Sequence, residues 1–177
     1  VNRVWIPTTV TLVGLGCGAL AALWMGRGAL DAGLAVWWVG VLADNVDGTV
    51  ARRLDAVTPL GGQLDALGDL VLYAVAPFLF VATTGTPGLV AGLALLVAAA
   101  WRLANDVVTD AKGVHFGALV VVYFAAVPWA GPASPELFAV LNALWLVFSP
   151  ALPQPALRLA LAVWGAVGLT GAVIGLR

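Results

Sequence analysis

Asp44-Asn45-Val46-Asp47-Gly48-Thr49-Val50-Ala51-Arg52, followed after eight residues by Gly61-Gly62-Gln63-Leu64-Asp65-Ala66-Leu67-Gly68-Asp69, sets four carboxylates inside stretches otherwise apolar enough for membrane helices. Ionisable groups at membrane depth cost several kcal/mol, so they mark a functional site. On a helix, Asp44, Asp47, Gly48 and Ala51 recur at i, i+3, i+4 and i+7 and share one face. Gly61, Asp65 and Asp69 recur at i, i+4 and i+8 on the next helix. A turn near residues 54–59 places Asp47 roughly 10 Å and Asp44 roughly 15 Å before it, with Asp65 roughly 9 Å and Asp69 roughly 15 Å after it, at the helical rise. The carboxylates therefore pair off in height. If the two faces meet, each pair about 4 Å apart repels by about 4 kcal/mol at an effective dielectric of about 20. A cation is then required, and a carboxylate-only set without His or Cys favours Mg²⁺ or Mn²⁺ over zinc.

Gly48, Ala51 and Gly61 share the acidic faces, so the space between the helices is not blocked by side chains. Arg52 adds a permanent cation whose planar fork suits phosphate oxygens. Clustered carboxylates, a metal, small residues and one Arg together predict phosphate-group transfer at a membrane surface.

The rest of the chain agrees with a membrane setting. Of 177 residues, 62% are apolar and 10% charged, against about 25% charged in ordinary soluble domains. With 8 Lys and Arg against 9 Asp and Glu, the basic footprint of a nucleic-acid binder is missing. Cys17 is the single cysteine, too few for an internal disulfide or a zinc cluster. Candidate spans run from about Thr8 to Trp24, Asp31 to Leu54, Thr58 to Ala82, Gly88 to Val108 and Pro155 to Leu176. His115 to Trp129 and Pro135 to Phe148 are short for a crossing of roughly 20 residues. The fold class expected is an all-α integral membrane protein, a polytopic bundle of six to eight transmembrane helices forming a single domain over residues 1–177.

Thr58 is placed to cap the third helix, with Pro59 at its first position. Without a cleavable signal pattern before the first span, the N-terminus is expected to be retained. Arg3, Arg52, Arg53, Lys112 and Arg158 fall on one side and Arg27 and Arg177 on the other, which turns the 44–69 region to the cytoplasm of the cell membrane. Trp5, Trp24 and Trp129 lie near span ends, as interfacial rings do. Gly14 with Gly18, and Gly171 with Gly175, are spaced for close helix packing.

The 44–69 stretch resembles the signature of the CDP-alcohol phosphatidyltransferases, D-x2-D-G-x2-A-R-x8-G-x3-D-x3-D, at all eight fixed positions and both gaps. Pro7-Thr8-Thr9-Val10-Thr11 is similar to the family's P-N-x-x-T opening, with Thr8 in place of Asn. The resemblance implies a six-helix core, a homodimer and a cavity open to the cytoplasmic leaflet. It also implies two divalent ions held by Asp44, Asp47, Asp65 and Asp69, with Asp69 as the base. Gly48, Ala51, Arg52 and Gly61, with Thr8 and Thr11, match positions around the CDP moiety. The reaction so implied joins a CDP-diacylglycerol-type lipid, or an ether analogue, to a small polar alcohol and releases CMP. Direct displacement is preferred, and a covalent phosphatidyl intermediate remains open.

Leu64 to Pro77 is similar to the phosphatidylserine synthase element L-D-S-L-A-D-x-x-S-F-G-x-A-P, although Leu72 replaces its Ser and Ala74 its Gly. Thr11-Leu12 through Gly18 and Lys112 through Leu119 resemble two further segments of that branch, and Leu70 stands where phosphatidylglycerophosphate synthases carry Lys. Serine is therefore the expected acceptor. Glycerol 3-phosphate, inositol phosphate and a diacylglycerol acceptor with a soluble CDP-alcohol are the alternatives. Arg102-Leu103-Ala104-Asn105 half matches R-x-A-R. Arg102, with Lys112, is a candidate for the acceptor's carboxylate, and Arg102 is equally placed to pair with Asp106 at i+4. Asp106 and Asp110 are expected at a cytoplasmic helix end, His115 at an interface or packed, and Asp31, Asp55 and Glu136 in solvated loops. A cation channel or transporter is the rival class, but it would spread polar groups along several spans.

Overall fold

The computed structural model describes residues 4–109, 120–121, 123–125, 127 and 135–148. Among these residues all regular structure is helical, with no strand. Five helices have full bounds: α1 Trp5–Gly26, α2 Leu30–Arg53, α3 Pro59–Ala82, α4 Thr86–Thr109 and α5 Pro135–Phe148. The described residues between 120 and 127 are helical as well. The chain divides into two compact units, Val1–Thr83 and Thr84–Arg177.

Among the described residues, Trp5–Gly26, Pro59–Ala82 and Thr86–Asp106 are long and apolar enough to cross a membrane, and the protein is a membrane protein. At 24 residues α2 is as long as α3, but Asp44, Asp47, Arg52 and Arg53 crowd its C-terminal half. The first four expected spans match α1 to α4 to within a few residues, and α5 matches Pro135 to Phe148. The span expected over Pro155 to Leu176, and most of that over His115 to Trp129, lie outside the described residues, as do Gly171, Gly175, Trp129, Asp110 and His115.

Helix ends follow from local chemistry. After α1, Gly28 takes φ +79°, the Ala29 N–H reaches the Trp24 carbonyl at 2.9 Å and the Gly28 N–H reaches Met25 at 3.0 Å. This is the Schellman arrangement, which satisfies carbonyls the helix leaves open. It recurs after α2 with Asp55 at φ 51°: Ala56 N–H bonds Ala51 O at 2.9 Å and Asp55 N–H bonds Arg52 O at 3.3 Å. Aspartate tolerates this left-handed region better than most side chains, so Asp55 ends a helix rather than merely decorating a loop. The Thr58 hydroxyl accepts from the Gly61 N–H at 3.0 Å with Pro59 behind it, as expected. Asp31 and Glu136 occupy first helical turns of α2 and α5, a correction to the loop expectation. The partial positive charge of a helix N-terminus favours acids there.

In the first unit, α1 packs along α2 and also against α3, while α2 and α3 touch each other little. Small residues allow this. A Cβ on Gly14 would meet Ala43 Cβ at 3.5 Å, and one on Gly18 would meet Leu72 Cα at 3.3 Å. On Gly40 a Cβ would come 2.8 Å from Leu72 Cδ1, which only displacement could relieve. Gly14 and Gly18 thus serve the packing role expected of them. In the second unit α4 packs along α5, burying Leu95 and Ala99 from the first and Phe138, Ala139 and Leu146 from the second. Tyr123 stacks on Phe138 with ring centroids 3.9 Å apart.

Candidate active site

Three helices converge on the acidic residues of the first unit. From α2, Asp47 is buried at 4% exposure. Its Oδ2 accepts from the Thr11 hydroxyl of α1 at 2.6 Å, and its Oδ1 from the Gly48 N–H at 2.6 Å. Thr11 Oγ also lies 3.1 Å from the Pro7 carbonyl, but a hydroxyl has one proton, and the shorter contact to a charged acceptor takes it. One turn earlier, Asp44 Oδ2 accepts from the Tyr73 hydroxyl of α3 at 2.8 Å.

The carboxyl groups of Asp44 and Asp69 are in hydrogen-bonding contact, and Asp47 and Asp65 lie within electrostatic reach of Asp69. The expected height pairing therefore holds for Asp44 with Asp69. Two carboxylates in contact repel unless a proton or a cation lies between them. The four acids do not form one cage, however: among the described residues no three His, Cys, Asp or Glu side chains converge tightly enough to hold a metal ion. Asp47 is turned toward Thr11 and the Gly48 amide. The donor set nevertheless fits a hard divalent cation, because its ligands are carboxylate oxygens and the Asp44–Asp69 contact supplies a place where positive charge lowers the energy.

The segment that delivers Tyr73 is not an ordinary helix. Within α3, Val71–Val75 widens into π-helical geometry, and Pro77 explains why. Proline has no N–H, and its ring crowds the carbonyl four residues back. The Ala76 N–H donates to Val71 O, five residues back, so neither Ala76 nor Pro77 serves the Leu72 carbonyl. The Trp37 indole of α2 fills that gap, with Nε1 donating to Leu72 O at 2.7 Å. Trp37 is fully buried, and its ring stands edge-on to Tyr73, centroids 6.1 Å apart and planes at 87°.

The other expected site residues divide by location. Arg52 is exposed. Its Nη2 donates to Thr49 Oγ1 at 3.3 Å, and its Nη1 lies where a Cβ on Gly48 would be 3.4 Å away. Gly48 thus lets the guanidinium lie along the helix. Gly61 sits against the capping hydroxyl of Thr58, and the Ala51 carbonyl closes the end of α2. The Thr8 hydroxyl bonds Val4 O at 2.8 Å within α1, whereas that of Thr11 reaches Asp47. Arg102 belongs to the second unit, is 2% exposed and pairs with Asp106 through Nε, 2.8 Å from Oδ2. Lys112 lies outside the described residues.

Tyr73 and Trp37 escaped the sequence reading. The signal was face continuity: Tyr73 extends the run 61, 65, 69 by one more i+4 step, and Trp37 precedes Asp44 by seven residues on the same face.

A profile of the CDP-alcohol phosphatidyltransferase family matches residues 4–170. The chain is 38% identical over 92 residues to the inner membrane protein YnjF of Escherichia coli, covering 52% of this chain and 44% of that protein. It is 34% identical over 73 residues to the CDP-diacylglycerol–serine O-phosphatidyltransferase of Bacillus subtilis, 41% of each chain. These matches span less than half of the relatives' own length. The fold is similar to that of the phosphatidylinositol phosphate synthase of Mycobacterium tuberculosis in its apo form, with a TM-score of 0.63 and 24% identity over 82% of this chain and 85% of that one.

Proposed function

The chain belongs to the CDP-alcohol phosphatidyltransferase family, and from that premise we propose that it moves the phosphatidyl group of a CDP-diacylglycerol-type lipid to the hydroxyl of serine, releasing CMP. The observation that carries this reading is the contact between the Asp44 and Asp69 carboxyls beside Asp47 and Asp65. The family is generally dependent on divalent metals. Asp44, Asp47, Asp65 and Asp69 would hold two such ions, Mg²⁺ or Mn²⁺, which supply charge neutralisation for a diphosphate and its leaving group.

The chain's own side chains do the rest. Arg52 offers a guanidinium to phosphate oxygens beside Gly48, whose lack of a side chain leaves that space to the guanidinium. Gly61 and Ala51 keep the facing helix surfaces low, so that a nucleotide can lie against them. Asp69 takes the proton of the acceptor hydroxyl as its oxygen attacks the lipid-bearing phosphorus, and the phosphorus–oxygen bond to CMP breaks with its electron pair leaving on CMP. Thr11 holds the Asp47 carboxylate in place while this happens. The match to the family runs through both compact units, which supports one functional domain. The site faces the cytoplasm in this reading, and the protein acts as a homodimer.

Serine is favoured by the similarity to the Bacillus subtilis enzyme and by the 64–77 element; the fold likeness to an inositol phosphate enzyme keeps that acceptor as the second reading. Incubating the purified protein with CDP-diacylglycerol, Mn²⁺ and each alcohol in turn, and following CMP, decides between them. Release with serine alone is expected; release with only glycerol 3-phosphate or only inositol phosphate overturns the acceptor.

A further inference from the structure

We propose that Tyr73 is a positioning residue that orients the Asp44 carboxylate, and that Trp37, by holding the π-helical turn of α3, sets where Tyr73 stands. The inference rests on the reading of Asp44 as a metal ligand.

Asp44 Oδ2 is engaged by the Tyr73 hydroxyl at 2.8 Å, while the same carboxyl group contacts Asp69. A hydrogen bond to one oxygen of a carboxylate fixes the plane of the group and so aims the other oxygen, and outer partners of this kind change metal affinity by about 10-fold to 100-fold. Tyr73 is 5% exposed and cannot swing into solvent. Its height and direction come from the widened turn Val71–Val75. That turn leaves the Leu72 carbonyl without a helical donor, and Trp37 Nε1 supplies one at 2.7 Å. Against lipid or apolar side chains, an unpaired carbonyl would be costly, so the indole bond is what makes the turn tolerable. The Trp37 ring also walls one side of Tyr73, edge-on at 6.1 Å. The chain of contacts therefore runs Trp37, Leu72 carbonyl, Tyr73, Asp44. Its first and last links join α2 to α3, the two helices that otherwise touch little. The element that residues 64–77 resemble has Phe in this place, so a ring without the hydroxyl suits such a helix.

The test compares wild type, Tyr73→Phe, Trp37→Phe and the double variant in detergent micelles, reading Mn²⁺ affinity by electron paramagnetic resonance without lipid substrate. A second readout is the Mn²⁺ dependence of CMP release. Tyr73→Phe is expected to weaken Mn²⁺ binding about tenfold, raising the Mn²⁺ needed for half-maximal rate while the rate at saturating Mn²⁺ stays within about twofold of wild type. Trp37→Phe should shift affinity in the same direction and by less. The double variant should match Tyr73→Phe, because Trp37 acts through Tyr73. The chain has 2 tyrosines, so fluorotyrosine labelling yields two ¹⁹F resonances, and the one lost in Tyr73→Phe should move on adding Mg²⁺. Unchanged Mn²⁺ affinity in Tyr73→Phe overturns the inference, and additive losses in the double variant overturn the role of Trp37. If Asp44→Asn binds Mn²⁺ as wild type does, the reading of the site fails and the inference with it.

Discussion

In α4 the buried Arg102 guanidinium faces Asp106 one turn on, Nε lying 2.8 Å and 2.9 Å from the two carboxylate oxygens. In α2 and α3 the carboxyl of Asp44 instead faces that of Asp69. Both arrangements put charge in apolar helices. In the first, opposite signs sit at i and i+4 on one helix, so the charge is compensated as soon as α4 forms. In the second, like signs from two helices meet, and neutral donors approach two of the acids, the Tyr73 hydroxyl at Asp44 and the Thr11 hydroxyl with the Gly48 amide at Asp47. A compensated pair leaves no net charge to bury, whereas a like-charge pair costs stability unless a proton or a cation lies between the two groups.

The strongest way to break this contrast is Asp69→Asn. It should reduce CMP release at least about a thousandfold, about 4 kcal/mol in barrier, while metal-free thermal stability in detergent stays level or rises. A clear drop in melting temperature would make Asp69 a structural residue instead. Arg102→Met should behave in the opposite way. It strands Asp106, which is 24% exposed, and should cost about 2–3 kcal/mol of stability by denaturant melts, less than a fully buried charge because water reaches it. Arg102→Met combined with Asp106→Leu should recover most of that loss. Failure of the recovery would show that Arg102 stabilises α4 through more than its pair with Asp106.

Adding Mg²⁺ or Mn²⁺ at about a hundred times its dissociation constant should stabilise the folded protein by about 2.7 kcal/mol, read as a rise in melting temperature that chelation reverses and Asp44→Asn abolishes. An equal rise in Asp44→Asn would move the cation elsewhere. Thr11→Val removes the hydroxyl from Asp47 and should weaken metal binding about tenfold, about 1.4 kcal/mol, by titration of Mn²⁺. The smallest effect expected is that of Thr58→Ala, about 1 kcal/mol of stability from the lost cap of α3, measured by the same melts. An effect of several kcal/mol would show that the turn between α2 and α3 holds the acidic faces together.

Much of the site could be read along the chain because helical periodicity converts spacing into faces. Asp44 and Asp69 were expected at one height, and they meet. Thr58 and Pro59 were expected to start α3, and they do. Less legible were contacts whose partners sit far apart in sequence: Tyr73 with Asp44, 29 residues away, and Trp37 with Leu72, 35 residues away. Nor did the spacing foretell that the Thr11 hydroxyl bonds Asp47, 36 residues away. The choice for Arg102 between an acceptor and Asp106 was even on sequence grounds, and the ion pair is what the helix forms.

By itself, the order of residues determined that this is a helical membrane chain with an acidic pair of helices, because composition selects the solvent and a period of 3.6 selects the face. Tertiary structure alone decided how those acids are held. Pro77 withdraws a donor from α3, the Leu72 carbonyl must then be satisfied from another helix, and which helix reaches it depends on packing through Gly14, Gly18 and Gly40, where backbones approach because no side chain prevents it.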